Sequence, residues 1–142
     1  HLRMRQHSVN AMFLAESLRA LGLNVYYPGL PEHPQHELLT RLMNPGYGYG
    51  GMLAVDVGTL GSANDLMTRM QQEKVGYLAV SLGYFKTLFS APGHSTSSEI
   101  PIEEREAMGL SEGLVRFSVG LDNNIGLSFE RIKRCLTDIG VI

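Results

Sequence analysis

The 142-residue chain has a single cysteine, Cys135. One thiol rules out an internal disulfide framework and is compatible with a reducing compartment. Cationic excess is also missing: 12 Lys and Arg against 14 Asp and Glu give a net charge of -2 and a pI near 6.2. No electrostatic footprint for nucleic acid exists in such a chain. No apolar run is long enough for a membrane-spanning helix. The opening His1-Leu2-Arg3-Met4-Arg5 has neither an initiator methionine nor the order of a signal peptide, and reads as a chain cut from something longer. Internal repeats and disordered linkers are absent too. What is there is ordinary for a folded soluble protein, with 44% hydrophobic and 18% charged residues. The length predicts one domain, too small for a typical two-domain enzyme.

Helical spacing of Ala11, Leu14, Ala15, Leu18 and Leu21 predicts a first helix stopped by Gly22. A short strand, Leu23 to Tyr27, ends at Pro28-Gly29, and a helix follows from about Pro34 to Met43 with Leu38, Leu39 and Leu42 on one side. The run Asn44 to Gly51 breaks regular structure. Met52 to Val57 reads as a strand, Ser62 as the cap of a helix carrying Leu66, Met67 and Met70, and Tyr77 to Ser81 as another strand. Leu82 to Ile100, rich in Gly, Ser, Thr and Pro, reads as one long loop of the kind that often carries function. Pro101 opens a short acidic helix, Ile102 to Met108, and Leu114 to Val119 is the last strand. The final helix bears Ile125, Phe129, Ile132, Leu136 and Ile139, with Cys135 off that stripe as a spectator thiol. Four strands interleaved with helices imply an α/β domain in two layers, whose strand order and direction periodicity leaves open.

Alternation along the last strand puts Val115, Phe117 and Val119 on one face and Leu114, Arg116 and Ser118 on the other. An arginine in mid-strand is costly to bury without an anion, and its planar fork suits a carboxylate. From spacing alone, an exposed edge-strand residue or the partner of a structural acid is the favoured reading. The glycines of Gly46 to Gly51 lead from a helix into a strand, the reverse of a phosphate cradle, and fit a tight structural turn. His33 and His36 lack the further ligands that zinc requires and fit capping or surface roles. Ser81, Thr87, Ser95, Thr96, Ser97 and Ser98 supply hydroxyls without a nucleophile elbow, and Glu103-Glu104-Arg105-Glu106 reads as a solvated helix face.

Taken consecutively, these segments resemble one family. Tyr27-Pro28-Gly29-Leu30 with His33-Pro34-Gln35-His36 is similar to the "YPGL…HPxH" stretch of the Cys/Met-metabolism PLP enzymes, where PLP is pyridoxal 5'-phosphate. Gly48-Tyr49-Gly50-Gly51-Met52 resembles their "G(F/Y)GGM" turn, and Ala79-Val80-Ser81-Leu82-Gly83 with Thr87-Leu88 their "AxSLGxxxTL". Gly113-Leu114-Val115-Arg116-Phe117-Ser118-Val119-Gly120 is similar to "GLVR(L/F)SVG". Arg3-Met4, His7 and Asn10-Ala11 look like the helix joining the family's two domains. The likeness covers essentially the whole chain. It departs at Lys86, Ala91 and Ser97, where the family commonly has Glu, His and His. The stretches from Ser81 to Leu88 and from Ser95 to Glu99 resemble the branch containing plant-type methionine γ-lyases.

The resemblance implies a fold-type-I architecture in which 1–22 is the inter-domain helix and 23–142 the C-terminal small domain, an α/β two-layer sandwich. Its sheet is expected to be four-stranded and largely antiparallel, with helices on one side. The PLP-binding N-terminal domain would be absent from this chain. By the same likeness Arg116 holds the substrate α-carboxylate, Ser81 assists there, and Thr96 is the family's loop threonine, anchored by Ile100-Pro101. The implied partners are a sulfur-containing amino acid, the chain's own PLP domain and further copies in a homo-oligomer, a tetramer by family likeness; the implied location is cytoplasmic. Lys74, Lys86 and Lys133 are the only lysines, and none has the family's PLP-lysine context. The fragment alone is therefore expected to be inactive. Within the family the implied reaction is methionine to 2-oxobutanoate, ammonia and methanethiol. Cystathionine γ- or β-lyase and O-acyl-homoserine sulfhydrylase remain alternatives, as does a non-catalytic small-molecule-binding module.

Overall fold

The computed structural model of the chain describes residues 1–94 and 99–142. Helices α1 (Leu2–Ala20), α2 (His36–Leu42), α3 (Leu60–Gln72), α4 (Ile102–Ala107) and α5 (Ile125–Asp138) accompany one mixed sheet. Its strands are β1 (Asn24–Tyr26), β2 (Met52–Asp56), β3 (Gly76–Leu78), β4 (Thr87–Ser90) and β5 (Leu114–Ser118), in the order β1-β2-β5-β4-β3. Every neighbouring pair is antiparallel except β3 with β4, which run parallel.

The expected four-stranded sheet is thus corrected to five strands with one parallel pair. The fifth, β4, lies inside the stretch read as a loop, which also contains a 3-10 turn at Pro92–His94. All four residues of β4 are buried, so it shows no alternation of apolar and polar positions to betray it. The parallel step from β3 to β4 is made by the segment 79–86 with no crossover helix, an unusual economy.

Cross-strand register aligns Leu53, Phe117 and Phe89 in one row and Val55 with Val115 in the next. These side chains form the core with Leu14 and Leu18 of α1, Leu66 and Met70 of α3, and Ile132 and Leu136 of α5. Burying each phenylalanine contributes about 1.5–3 kcal/mol, so this face holds the helix layer to the sheet. The other face carries Arg116, flanked by Ala54 and Ser90.

Local details explain the helix ends. Gly22 stops α1 with φ +87, a conformation open to glycine, and its N–H donates to Arg19 O at 2.9 Å. The cap of α3 is Thr59, whose Oγ1 accepts from Ser62 N–H at 3.1 Å; Ser62 is not the cap but the recipient of one. Asn124 caps α5 in the same way through Leu127 N–H. Two further expectations change. No residue of α2 is buried, and Leu38 and Leu42 face outward, because no element among the described residues packs on that stripe. Cys135 is inside the core, since the buried face of α5 is wide enough to take the residue beside Leu136.

Candidate functional site

β5 is paired on both sides, so Arg116 projects from the best-supported strand of the sheet. The side chain is half-buried. Its Nη2 donates to Val80 O at 2.8 Å and lies 3.5 Å from Ser81 O. Its Nε is buried without a hydrogen-bond partner among the described residues, as is the Ser90 hydroxyl on the neighbouring strand. The ion pairs among the described residues, Arg19–Glu32, Arg69–Asp138 and Arg134–Glu73, leave Arg116 out. Both simpler accounts of this residue therefore fail among the described residues: it is not on an edge strand, and no acid there pairs with it. A half-buried guanidinium held by carbonyls, with no acid partner among the described residues, keeps donors of the geometry that pairs with carboxylates.

Ser81 does reach this place, although not from a strand. β3 ends at Leu78, and Ser81 lies in the exposed segment that follows, brought to Arg116 through the backbone carbonyls of Val80 and Ser81. Several bonds fix the segment. Gly83 N–H donates to Ser118 Oγ at 2.9 Å, and Arg3 Nη2 donates to Gly83 O at 2.6 Å. Leu121 N–H donates to Phe85 O at 2.8 Å and Gly120 N–H to Thr87 Oγ1 at 2.9 Å. A Cβ on Gly120 would stand 2.6 Å from backbone atoms of Phe85, Lys86 and Thr87, so only glycine allows this approach. Thr96 lies outside the described residues.

α1 is buckled to the far end of β5. His7 Nδ1 donates to Val119 O at 2.6 Å, and Asn10 Nδ2 donates to Gly120 O at 3.0 Å and Asp122 O at 2.9 Å. The glycine-rich run packs on the same helix, with Tyr49 N–H donating to Ser8 Oγ at 2.7 Å and Tyr27 OH donating to Gly50 O at 2.9 Å. Burial pushes the Tyr27 phenol above its ordinary pKa; the Ser8 hydrogen bond opposes this and Tyr49 adds slightly to it. The run is a structural turn. His33 Nδ1 accepts from Gln35 N–H at 3.2 Å, while His36 bonds Pro28 O at 2.9 Å and stacks on Tyr49, so both act locally.

One residue was misjudged. Arg105, read as part of a solvated face, is half-buried, and its Nη1 donates to Gly93 O at 2.7 Å. Nothing in the run of acids around it signals that role. Ser118 was placed on the Arg116 face, but its tie to Gly83 depends on a loop path that spacing does not reveal.

A sequence model of the family described as "Cys/Met metabolism PLP-dependent enzyme" matches residues 1–129. The chain belongs to this family. It is 52% identical over 120 residues to a methionine gamma-lyase of Arabidopsis thaliana, covering 84% of this chain and 27% of that protein. Its fold superposes on the crystal structure of cystathionine gamma-lyase from yeast with a TM-score of 0.87 and 34% identity, covering 98% of this chain and 35% of that one. A putative O-acetylhomoserine (thiol)-lyase of Campylobacter jejuni, whose structure contains N'-pyridoxyl-lysine-5'-monophosphate, gives a TM-score of 0.85 at 26% identity, over 96% of this chain and 32% of that one. The chain thus spans about a third or less of the relatives it matches. Members of the family depend on PLP. The residues of this chain do not fit that cofactor by themselves. Lys74, Lys86 and Lys133 are all exposed, and the one glycine-rich turn is occupied by its packing on Ser8.

Proposed function

We propose that this chain is the substrate-gripping small domain of a PLP-dependent sulfur amino-acid lyase, with methionine as substrate. In this reading 1–22 joins it to a preceding PLP-binding domain, 23–142 closes over the substrate, and the whole enzyme is a homo-oligomer, a tetramer in keeping with the family. The observation that supports it is Arg116, half-buried, braced by Val80 O and without an acid partner among the described residues.

When bound to the rest of the enzyme, PLP supplies an electron sink at the substrate Cα. The work of this chain is to bind and orient. Arg116 holds the α-carboxylate with the part of its fork that Val80 O leaves free, each charge-assisted hydrogen bond being worth about 1.5–3 kcal/mol. Ser81 lies beside the same carboxylate, and Thr96 is the further residue assigned to the substrate. Fixing the carboxylate fixes the rotation about the bond to Cα, and so decides which Cα bond is set for cleavage. Neither Arg116 nor Ser81 moves a proton. The products expected from methionine are 2-oxobutanoate, ammonia and methanethiol, and the chain alone is inactive for want of the PLP lysine.

The likeness to a cystathionine gamma-lyase and to an O-acetylhomoserine (thiol)-lyase supports a second reading, in which the same grip serves one of those reactions. The full-length protein is therefore assayed with methionine, cystathionine, and O-acetylhomoserine plus sulfide. Methanethiol release with the highest kcat/KM supports the first reading. A preference for either other substrate transfers the assignment, and turnover of none removes the enzyme reading in favour of a binding module.

A further inference from the structure

A cavity of about 380 Å³ opens on the Arg116 side of the sheet, lined among others by Tyr26, Asp56, Arg105, Leu110, Ser111 and Glu112. Register puts Tyr26 in the same cross-strand row as Ala54 and Arg116, and Asp56 on the same face beside Leu114. Arg105 spends its Nη1 on Gly93 O, its Nε is buried with no partner, and its Nη2 makes no hydrogen bond among the described residues. The Nε–Nη2 edge is the two-donor side that pairs with carboxylates. The Ser111 hydroxyl in the same wall is also buried without a partner among the described residues.

Carboxylates are present in this wall, yet they do not satisfy the arginine. Asp56 Oδ1 accepts from Gly58 N–H at 2.8 Å, and neither Asp56 nor Glu112 ion-pairs with Arg105. Among the described residues, the cavity therefore holds one cation and two anions without ion-pair partners. A simple anion would meet Arg105 but be repelled by Asp56 and Glu112, and a simple amine would meet the reverse. A molecule carrying both charges a few bonds apart satisfies both halves.

We infer that this cavity is a second binding site, distinct from Arg116, for a small zwitterion of the α-amino acid class. The ligand carboxylate is received by Arg105 Nη2, with Nε and the Ser111 hydroxyl reached by a small turn of the side chains. The ligand ammonium lies toward Asp56 and Glu112, and its side chain packs on Tyr26 and Leu110. Because Arg105 also holds Gly93, occupancy bears on the 3-10 turn at Pro92–His94.

The test is equilibrium dialysis of radiolabelled L-norleucine, which lacks a leaving group, against the full-length holoprotein. Two molecules per chain are expected to bind. Arg105→Ala should weaken the second site about tenfold or more, the loss of one charge-assisted hydrogen bond. Arg105 also braces Gly93, so Glu112→Gln, at an exposed position, serves as the second variant. It should weaken norleucine but not hexanoate, which has the carboxylate without the ammonium. A single site lost only with Arg116→Ala overturns the inference. So does a second site indifferent to both Arg105→Ala and Glu112→Gln, or one that takes hexanoate as well as norleucine. Failure of the Arg116 reading looks different: Arg116→Ala then leaves both sites intact.

Discussion

Arg116→Ala in the full-length protein separates what the guanidinium does for the fold from what it does for a ligand. In the fold it makes one good contact, Nη2 to Val80 O at 2.8 Å, and no ion pair among the described residues. Its loss costs about 1.5–3 kcal/mol at most, and alanine also removes a buried Nε that has no partner, which offsets part of this. The midpoint of thermal unfolding should fall by only a few degrees. Catalysis should suffer more. Leaving a substrate carboxylate unpaired in a closed site costs about 2–5 kcal/mol, or roughly 30- to several-thousand-fold in kcat/KM. Lysine keeps the charge but cannot both bond Val80 O and grip a carboxylate at two points, so Arg116→Lys should fall between alanine and wild type. The assay is steady-state thiol release, with thermal melts and cofactor absorbance recorded on the same samples. Cofactor binding should survive both changes, and amines lacking the carboxylate should react equally poorly with all three proteins. A kcat/KM for Arg116→Ala within about threefold of wild type would refute the assignment of this residue.

Three further outcomes are expected. Borohydride reduction of the isolated chain with added PLP should trap no stoichiometric aldimine absorbance, because Lys74, Lys86 and Lys133 are all exposed and uncradled; a saturable one-to-one adduct would contradict this. Burial raises the pKa of both Tyr27 and Cys135, with Glu73 and Asp138 adding to the rise at Cys135. The unfolded chain then releases protons that the folded chain keeps, so this stability is full below the unfolded pKa values and is lost as pH rises through the folded ones. Urea unfolding of Tyr27→Phe between about pH 8 and 11 should show a shallower alkaline decline than wild type; an unchanged slope counts against it. The isolated chain should also self-associate and bind a hydrophobic dye, since Leu2, Val80, Leu82 and Phe85 are exposed and the Arg3–Gly83 bond gathers their two segments. A strict monomer in sedimentation at high concentration, with no dye bound, would argue otherwise.

The elements readable from spacing were those whose periodicity meets a partner inside the chain. α5 was legible because Ile132 and Leu136 bury against the sheet, and β5 because Val115 and Phe117 do. α2 has an equally apolar stripe, yet Leu38 and Leu42 stay exposed, since periodicity reports a face and not what covers it. β4 was hidden because burial on both faces erases alternation, and its Ser and Thr neighbours imitate a loop. Ser81 was taken into β3 because Leu78-Ala79-Val80 is apolar, although Leu78 and Val80 point outward. The position of Arg116 was legible from the strand pattern. Its lack of an acid partner among the described residues, and the half-burial of Arg105, depend on the paths of 79–86 and 99–113, which no local rule contains.

The pairing of β5 on both sides has a consequence for how such a chain can change over generations. Arg116 is carried by a ladder bonded to Ala54 on one strand and Ser90 on the other, where a register slip would invert every core side chain. The wall beside it, 79–86, is held through backbone atoms of Gly83 and Phe85, while the side chains of Leu82, Tyr84 and Phe85 lie exposed. Substitutions there leave the ladder untouched. If Arg116 grips the α-carboxylate, the part of the site that recognises what all amino acids share is frozen, and the part that meets what distinguishes them is free to drift. Divergence in substrate then requires no invention of a new grip, only new furniture around the old one.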